Sequence, residues 1–260
     1  MPGGLVSAID RLMALGDTSA ALNAARSEVD ALLWRRDVRA AASDYTIASR
    51  QWGSRDSAAI DGADVATAED SPMGRVLGSA QAVTAEVPAQ VETWARAPLQ
   101  VLARLHSVVA HGHVPEDQLG RPRRAGEDPD DPLRLPIDIP PAESAAARLT
   151  LLSELVAEST DAPALAIAGI VHGELLTARP FTWGSGLLGR ASVRLVLAAR
   201  GVDPSLFTIP EAGMYQRGRP AYVRALRQYA TGEPEQMAGY FAWFADVISL
   251  GAQAATPTSA

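Results

Sequence analysis

Apolar residues recur three and four positions apart along most of this chain, the spacing of helices that bury one face. Leu5, Ile9, Leu12 and Met13 mark a first stripe over 5–15, and Leu22, Ala25, Val29 and Leu32 a second over 19–34. Asp17 and Thr18 are its candidate caps. An Ala-rich run without proline predicts a third helix over roughly 36–59. Residues 63–72 read as a loop and 73–86 as a helix, with Val76, Ala80 and Val83 on one face. Over 98–110, Leu99, Leu102, Leu105, Val108 and Val109 make a clear amphipathic helix.

The pattern then breaks. Residues 111–142 are rich in proline, glycine and charge, which predicts a long irregular loop; loops of this length are often functional and otherwise disordered. Helical spacing returns over 143–158 (Leu149, Leu152, Leu155, Val156) and 163–178 (Leu165, Ala168, Leu175, Leu176), with Asp161 and Pro163 as its start. Residues 186–200 are apolar nearly all round, so that helix should be central. Two more stripes run over 220–230 (Tyr222, Leu226, Tyr229) and 234–251 (Met237, Phe241, Phe244, Ile248). A short hairpin near 177–183 or 205–210 is the one β candidate. The expected fold class is all-α: a helical bundle spanning 35–251 with an N-terminal helical extension at 1–34 and a flexible tail at 252–260.

Composition narrows the chemistry. The 260 residues carry a net charge of −7, so attraction of the whole chain to nucleic acid is not indicated. There is no cysteine, hence no disulfide, thiolate nucleophile or Cys–zinc site. The N-terminus shows no basic, then apolar, secretory pattern, and no apolar stretch is long enough to span a bilayer, so a cytoplasmic protein that does not enter membranes is expected. Arginines gather at 121–124 and 217–227; Arg217, Arg219, Arg224 and Arg227 read first as a solvated face.

The stretch RPFTWGSGLLGR (179–190) contains G-x-G-x-x-G at Gly184, Gly186 and Gly189. A dinucleotide fingerprint needs a strand before the first glycine and an acid at a strand end about 20 residues on. A helical pattern ending in Arg-Pro precedes it instead, and Asp203 lies in a turn before Pro204. An NAD-dependent oxidoreductase therefore rests on GSGLLG alone. Glycines entering a helix also turn backbone N–H groups toward an anion, with Arg190 one turn in to pair with a phosphate. A tight entry into a buried helix explains them equally simply, and on spacing alone stands slightly ahead.

The region VHGELLTARPFTWGSGLLGRASVRLVLAARGVDP resembles the core of the Fic (Fido) family, whose motif is HxFx(D/E)GNGRxxR. His172, Pro180, Phe181, Gly184, Gly186, Gly189 and Arg190 hold matching positions. RDSAAIDGADV (55–65) resembles the family's N-terminal inhibitory (S/T)xxxE(G/N) motif, with Ser57, Asp61 and Gly62 in its places. LARLHSVVA, LGRPR (119–123) and the C-terminal helices resemble further family segments in the same order, so the likeness covers about residues 35–250. It implies an all-α fold and nucleotidyl (AMP) transfer from ATP to protein hydroxyls.

The departures fall on the chemistry. Arg179 occupies the place of the motif histidine, the base in family members, and a guanidinium is protonated at ordinary pH. Trp183 replaces the acidic metal ligand and offers no oxygen to Mg²⁺, so no metal ligand is expected. Ser185 replaces the loop asparagine and Leu187 the first motif arginine. His172 lies seven residues upstream, about 10 Å along a helix, too far to substitute; it reads as a packing or capping residue, and His106 as structural. His111 and His113 form an HxH without a third zinc ligand. Asp61 and Arg190 read as an ion pair kept for folding, ahead of an inhibitory lock.

The resulting expectation is a degenerate Fic-type protein adenylyltransferase homologue, a pseudoenzyme serving as a nucleotide/anion-binding or protein-binding module. Gly184, Ser185, Gly186, Gly189 and Arg190 are its phosphate candidates, Phe181 the loop anchor and ATP its nucleotide. A transferase acting without the motif histidine, with Arg179 stabilising charge, is the alternative. A protein partner or target is expected without being identifiable, and a homo-oligomer is compatible with the sequence.

Overall fold

The computed structural model describes residues 2–63, 71–158 and 161–257. Among them every regular element is helical: α1 Pro2–Met13, α2 Thr18–Trp34, α3 Arg36–Ala40, α4 Ala42–Ile60, α5 Pro72–Trp94, α6 Pro98–Val109, α7 Ala142–Glu158, α8 Ala164–Ala178, α9 Ser185–Ala199, α10 Pro210–Thr231 and α11 Pro234–Gln253. No strand occurs among the described residues, so neither hairpin expected at 177–183 or 205–210 forms, and the parallel sheet that a dinucleotide fold requires has no place.

The centre is the α8–α9 hairpin. Almost every side chain of both helices is buried, including Leu165, Ile167, Val171 and Leu175 on α8 and Leu188, Val193, Leu195 and Val196 on α9. A helix with no polar face is stable only when covered on all sides. Here α5, α7, α10 and α11 help to supply the cover, and α2 packs on α11, tying the N-terminal helices to the same core.

Three helices differ from the expectation. The expected helix over 36–59 breaks at Ala41 into α3 and α4. The helix expected over 73–86 runs on through Pro88 to Trp94. Proline costs the helix one backbone hydrogen bond, but burial of Val83, Val87 and Trp94 on the core face outweighs that local cost. α10 begins ten residues before the expected 220, at Pro210, and bends at Gly218, where φ 78° admits glycine with least strain. Its first half escapes periodicity because it buries Glu211 and Gly213 where a stripe would show leucines. Asp17 precedes α2 without a side-chain cap bond, and Thr18 is buried. Most of the loop expected at 63–72, and residues 258–260 of the expected tail, lie outside the described residues; α11 itself extends to Gln253.

Residues 111–141 carry one short 3₁₀ turn, Glu116–Gln118, and are otherwise irregular. They are nonetheless pinned to the turn between α8 and α9. The Arg123 N–H donates to the Pro180 carbonyl (2.8 Å) and the Asp130 N–H to the Thr182 carbonyl (2.8 Å). The Arg123 guanidinium, itself buried, donates to the carbonyls of Arg179 and Pro140.

Candidate functional site

The turn between α8 and α9 is held by two aromatic stacks. Phe181 is buried flat against His106, with centroids 4.1 Å apart and planes 14° apart. His106 Nδ1 accepts the Gly120 N–H at 2.9 Å, and burial pushes the imidazole down to about 4, so it is a neutral structural residue. Trp183 lies on His113 (3.7 Å, 7°), whose Nε2 is 3.0 Å from Ser79 Oγ. The indole is thus committed to His113. Among the described residues no three His, Cys, Asp or Glu side chains group to hold a metal.

Each glycine of the G-x-G-x-x-G run has its own reason. Gly184 takes φ 77° immediately before α9, a left-handed turn that other residues adopt at a cost. A Cβ on Gly186 would meet the Asp61 carboxylate at 3.1 Å and Arg190 Nη1 at 3.2 Å, so this glycine lets the two ions approach the helix. A Cβ on Gly189 would sit 2.3 Å from Leu176 Cδ1; this glycine serves the packing of α9 on α8.

Arg190 is completely buried and held from three directions. Its Nε donates to Ser57 Oγ (2.8 Å), its Nη2 to the Ser57 carbonyl (3.0 Å) and to Asp61 Oδ2 (2.6 Å), and its Nη1 to the Tyr222 hydroxyl (3.5 Å). Burial works against the guanidinium charge, yet Asp61 and Tyr222 more than offset it and raise the pKa above its ordinary value. The shorter aspartate side chain reaches the arginine directly. Ser57 and Asp61 therefore bring the end of α4 onto α9, while Gly62 follows with φ 91°.

Behind Tyr222 lies His172, fully buried between two phenols. Tyr240 donates to the Gly169 carbonyl (2.7 Å), so its oxygen receives the proton of His172 Nδ1 (2.9 Å). His172 Nε2 then accepts from Tyr222 (2.7 Å). The chain Arg190–Tyr222–His172–Tyr240 is continuous and fixes the neutral tautomer. Burial, with a smaller contribution from Arg190, pushes His172 down to about 3.

Arg179 ends α8 in the left-handed region (φ 44°). Its guanidinium is buried, 3.1 Å from Asp131 Oδ2, but the contact lacks hydrogen-bond alignment, and none of its three nitrogens has a hydrogen-bond partner. The buried Ser185 hydroxyl and Asp61 Oδ1 are likewise without one. These groups line a cavity of about 20 Å³ together with Asp130, Asp131 and Leu133. That is room for about one water molecule, whereas small-molecule sites span about 300–1,000 Å³. Both oxygens of Asp130 lie 3.2 Å from the Gly184 nitrogen.

Sequence reasoning did not identify Asp130, Asp131 or the phenols of Tyr222 and Tyr240 as members of this cluster. The DPDDP run was the available signal, masked by the loop around it. It also missed Arg194, which is buried and bonded to Glu211 (2.7 Å) and Ser49 Oγ (2.8 Å). Of the surface arginines, Arg217 pairs with Asp246 and Arg219 donates to the Pro132 carbonyl (2.7 Å).

No protein-family model matches the sequence, and no curated protein matches it either. Solved structures do. A Fic family protein from Desulfovibrio desulfuricans G20 superposes with a TM-score of 0.60 at 18% identity, over 90% of this chain and 73% of that one. Fic-1 from C. elegans superposes with a TM-score of 0.61 at 18% identity, over 97% of this chain and 74% of that one. A variant of the same worm protein gives 0.63 at 17%, over 98% and 74%. The chain has the all-helical fold of these Fic proteins. No described helix is long and apolar enough to cross a membrane.

Proposed function

We propose that this chain is a degenerate Fic module that holds an oxyanion, of the nucleotide phosphate class, at the start of α9, and that it does not transfer nucleotides by the histidine route. The observation that carries the reading is the pairing of a glycine-edged helix N-terminus with a buried arginine at position 179 whose guanidinium has no hydrogen-bond partner. Backbone N–H groups of Ser185 and Gly186 begin α9, and Arg179 and Arg190 flank them, the donor set that oxyanions favour. A guanidinium supports negative charge there but removes no proton.

ATP is the nucleotide this reading names, with Gly184, Ser185, Gly186 and Arg190 nearest the phosphates and Gly189 shaping the helix behind them. The donors suit a polyphosphate; the space does not while Asp61 and the 130–133 segment are in place. No step is assigned to Mg²⁺. Asp61, with Ser57 and Gly62, supports an inhibitory contact on Arg190 as readily as a folding contact.

The test is a transfer assay. Wild-type protein and Asp61→Gly are incubated with ATP and a hydroxyl-rich protein mixture, and adducts are read by intact mass and peptide sequencing. The proposal expects no nucleotidyl adduct from either protein at rates above an Arg179→Ala control. An adduct dependent on Arg179 establishes the transferase alternative instead. A second reading, docking of a protein partner, draws on the exposed Trp34 (73% accessible) and Trp52 (43%), a residue type common among interface anchors.

A further inference from the structure

Residues 128–135 lie across the glycine turn as a strap. Its ends are fixed: Arg123 is bound to the carbonyls of Arg179 and Pro140, and Leu133 and Leu135 are buried in the core. Between them the strap touches the turn through polar groups. The Asp130 carboxylate meets the Gly184 N–H, its backbone N–H meets the Thr182 carbonyl, and the Asp131 carboxylate meets Arg179. Arg219 on α10 holds the Pro132 carbonyl from the outer side.

We propose that this strap is an internal ligand of the turn: the Asp130 carboxylate occupies the Gly184 N–H and the Asp131 carboxylate pairs by charge with Arg179, groups that an oxyanion would use, and the strap must lift before a phosphate-bearing ligand enters. The inference rests on the oxyanion reading above and adds a second barrier, distinct from Asp61.

Three features support it. A carboxylate on a backbone N–H at the mouth of a helix reproduces the way that helix entrances hold phosphates. Arg179 has hydrogen-bonding capacity in reserve, since its ion pair with Asp131 uses none of its N–H groups in good geometry. The closed arrangement also strains the acid. Burial, together with the nearby charges of Asp61 and Asp131, pushes Asp130 up to about 7, against the pull of the Gly184 N–H and Arg179. An internal ligand held against such a penalty is readily exchanged for one that brings more oxygens.

The experiment is a calorimetric titration of inorganic pyrophosphate into five full-length proteins: wild type, Asp130→Ala/Asp131→Ala, Arg219→Ala, Asp61→Asn, and Asp138→Asn/Glu143→Gln. The last removes equal charge from neighbouring positions outside these contacts and controls for simple electrostatics. Amide hydrogen exchange at 128–135 and Gly184 is measured in parallel. A strap closed in nine molecules of ten predicts about tenfold tighter binding once its carboxylates are gone. Arg219→Ala should give a smaller gain, and both variants should lose protection at the strap. Affinity in Asp130→Ala/Asp131→Ala no better than in the charge control overturns the strap. If that happens while Asp61→Asn binds pyrophosphate more tightly than wild type, the oxyanion reading stands and the strap alone falls. If pyrophosphate binds none of these proteins, the oxyanion reading fails and takes the strap with it. A variant with lowered thermal stability is read through Arg219→Ala, whose site lies outside the cradle.

Discussion

Removing Asp61 should cost this protein several kilocalories, because it strands a completely buried guanidinium. Arg190 has no exposed surface and the Asp61 side chain is 6% accessible, with 2.6 Å between them. Breaking a buried pair from one side typically costs about 3–5 kcal/mol. Arg190 keeps Ser57 Oγ, the Ser57 carbonyl and Tyr222 when Asp61 is gone, so Asp61→Ala belongs near the lower end, about 3 kcal/mol. For a chain of this size that corresponds to a fall in Tm of roughly 6–12 °C. Arg190→Met should cost less per charge removed, since Asp61 sits at the end of α4 and can regain water. The decisive quantity is the coupling in a double-mutant cycle, followed by urea unfolding at 222 nm. The direct contact predicts a double mutant less destabilised than the sum of the singles by about 2 kcal/mol. A coupling below about 0.5 kcal/mol would refute the claim that these two residues, 129 positions apart, bind each other and tie α4 to α9.

Two further outcomes follow from the same cluster. His172, pushed down to about 3 by burial, should show unchanged imidazole ¹⁵N shifts of the Nδ1–H tautomer between pH 8 and 4, whereas protonation with a midpoint near 6.5 would break the Tyr222–His172–Tyr240 assignment. Asp130 should titrate near 7 by carboxyl ¹³C NMR. Its raised pKa means that the closed strap binds a proton that the open one releases, so closure is fully favoured below about 4, weakens as pH rises to about 7 and is level above that; a midpoint near 4 would show that Asp61, Asp131 and burial do not bear on it.

The helical class was legible because its signal is local. The stripe over 143–158 and the all-apolar 186–200 bury the faces that their spacing marks, and 98–110 and 234–251 do so in the main, although Leu99 faces solvent and Val108 and Met237 are only partly covered. Where tertiary contacts override local preference, the pattern misled: Pro88 sits inside α5 because Val87 and Trp94 are buried beside it, and the first half of α10 buries Glu211 against Arg194. The cluster was half legible. Ser57, Asp61 and Arg190 stood out through their likeness to a known arrangement, and the structure brings them together. Asp130 did not, because the meeting of a loop carboxylate with an N–H 54 residues away depends on the path of an irregular segment that no periodicity encodes. The three glycines, identical on paper, separate only when their neighbours are known: one makes a turn, one clears an ion pair and one lets two helices touch.

The central claim, an oxyanion site at the start of α9 filled by the protein's own acids, is tested most directly by titrating ATP calorimetrically, with and without Mg²⁺, into wild type and Asp61→Asn. The account predicts weak or no heat from wild type, tighter but still strap-limited binding by Asp61→Asn, and little dependence on Mg²⁺. Absence of ATP binding in both proteins, with Asp61→Asn shown to be folded, would contradict it.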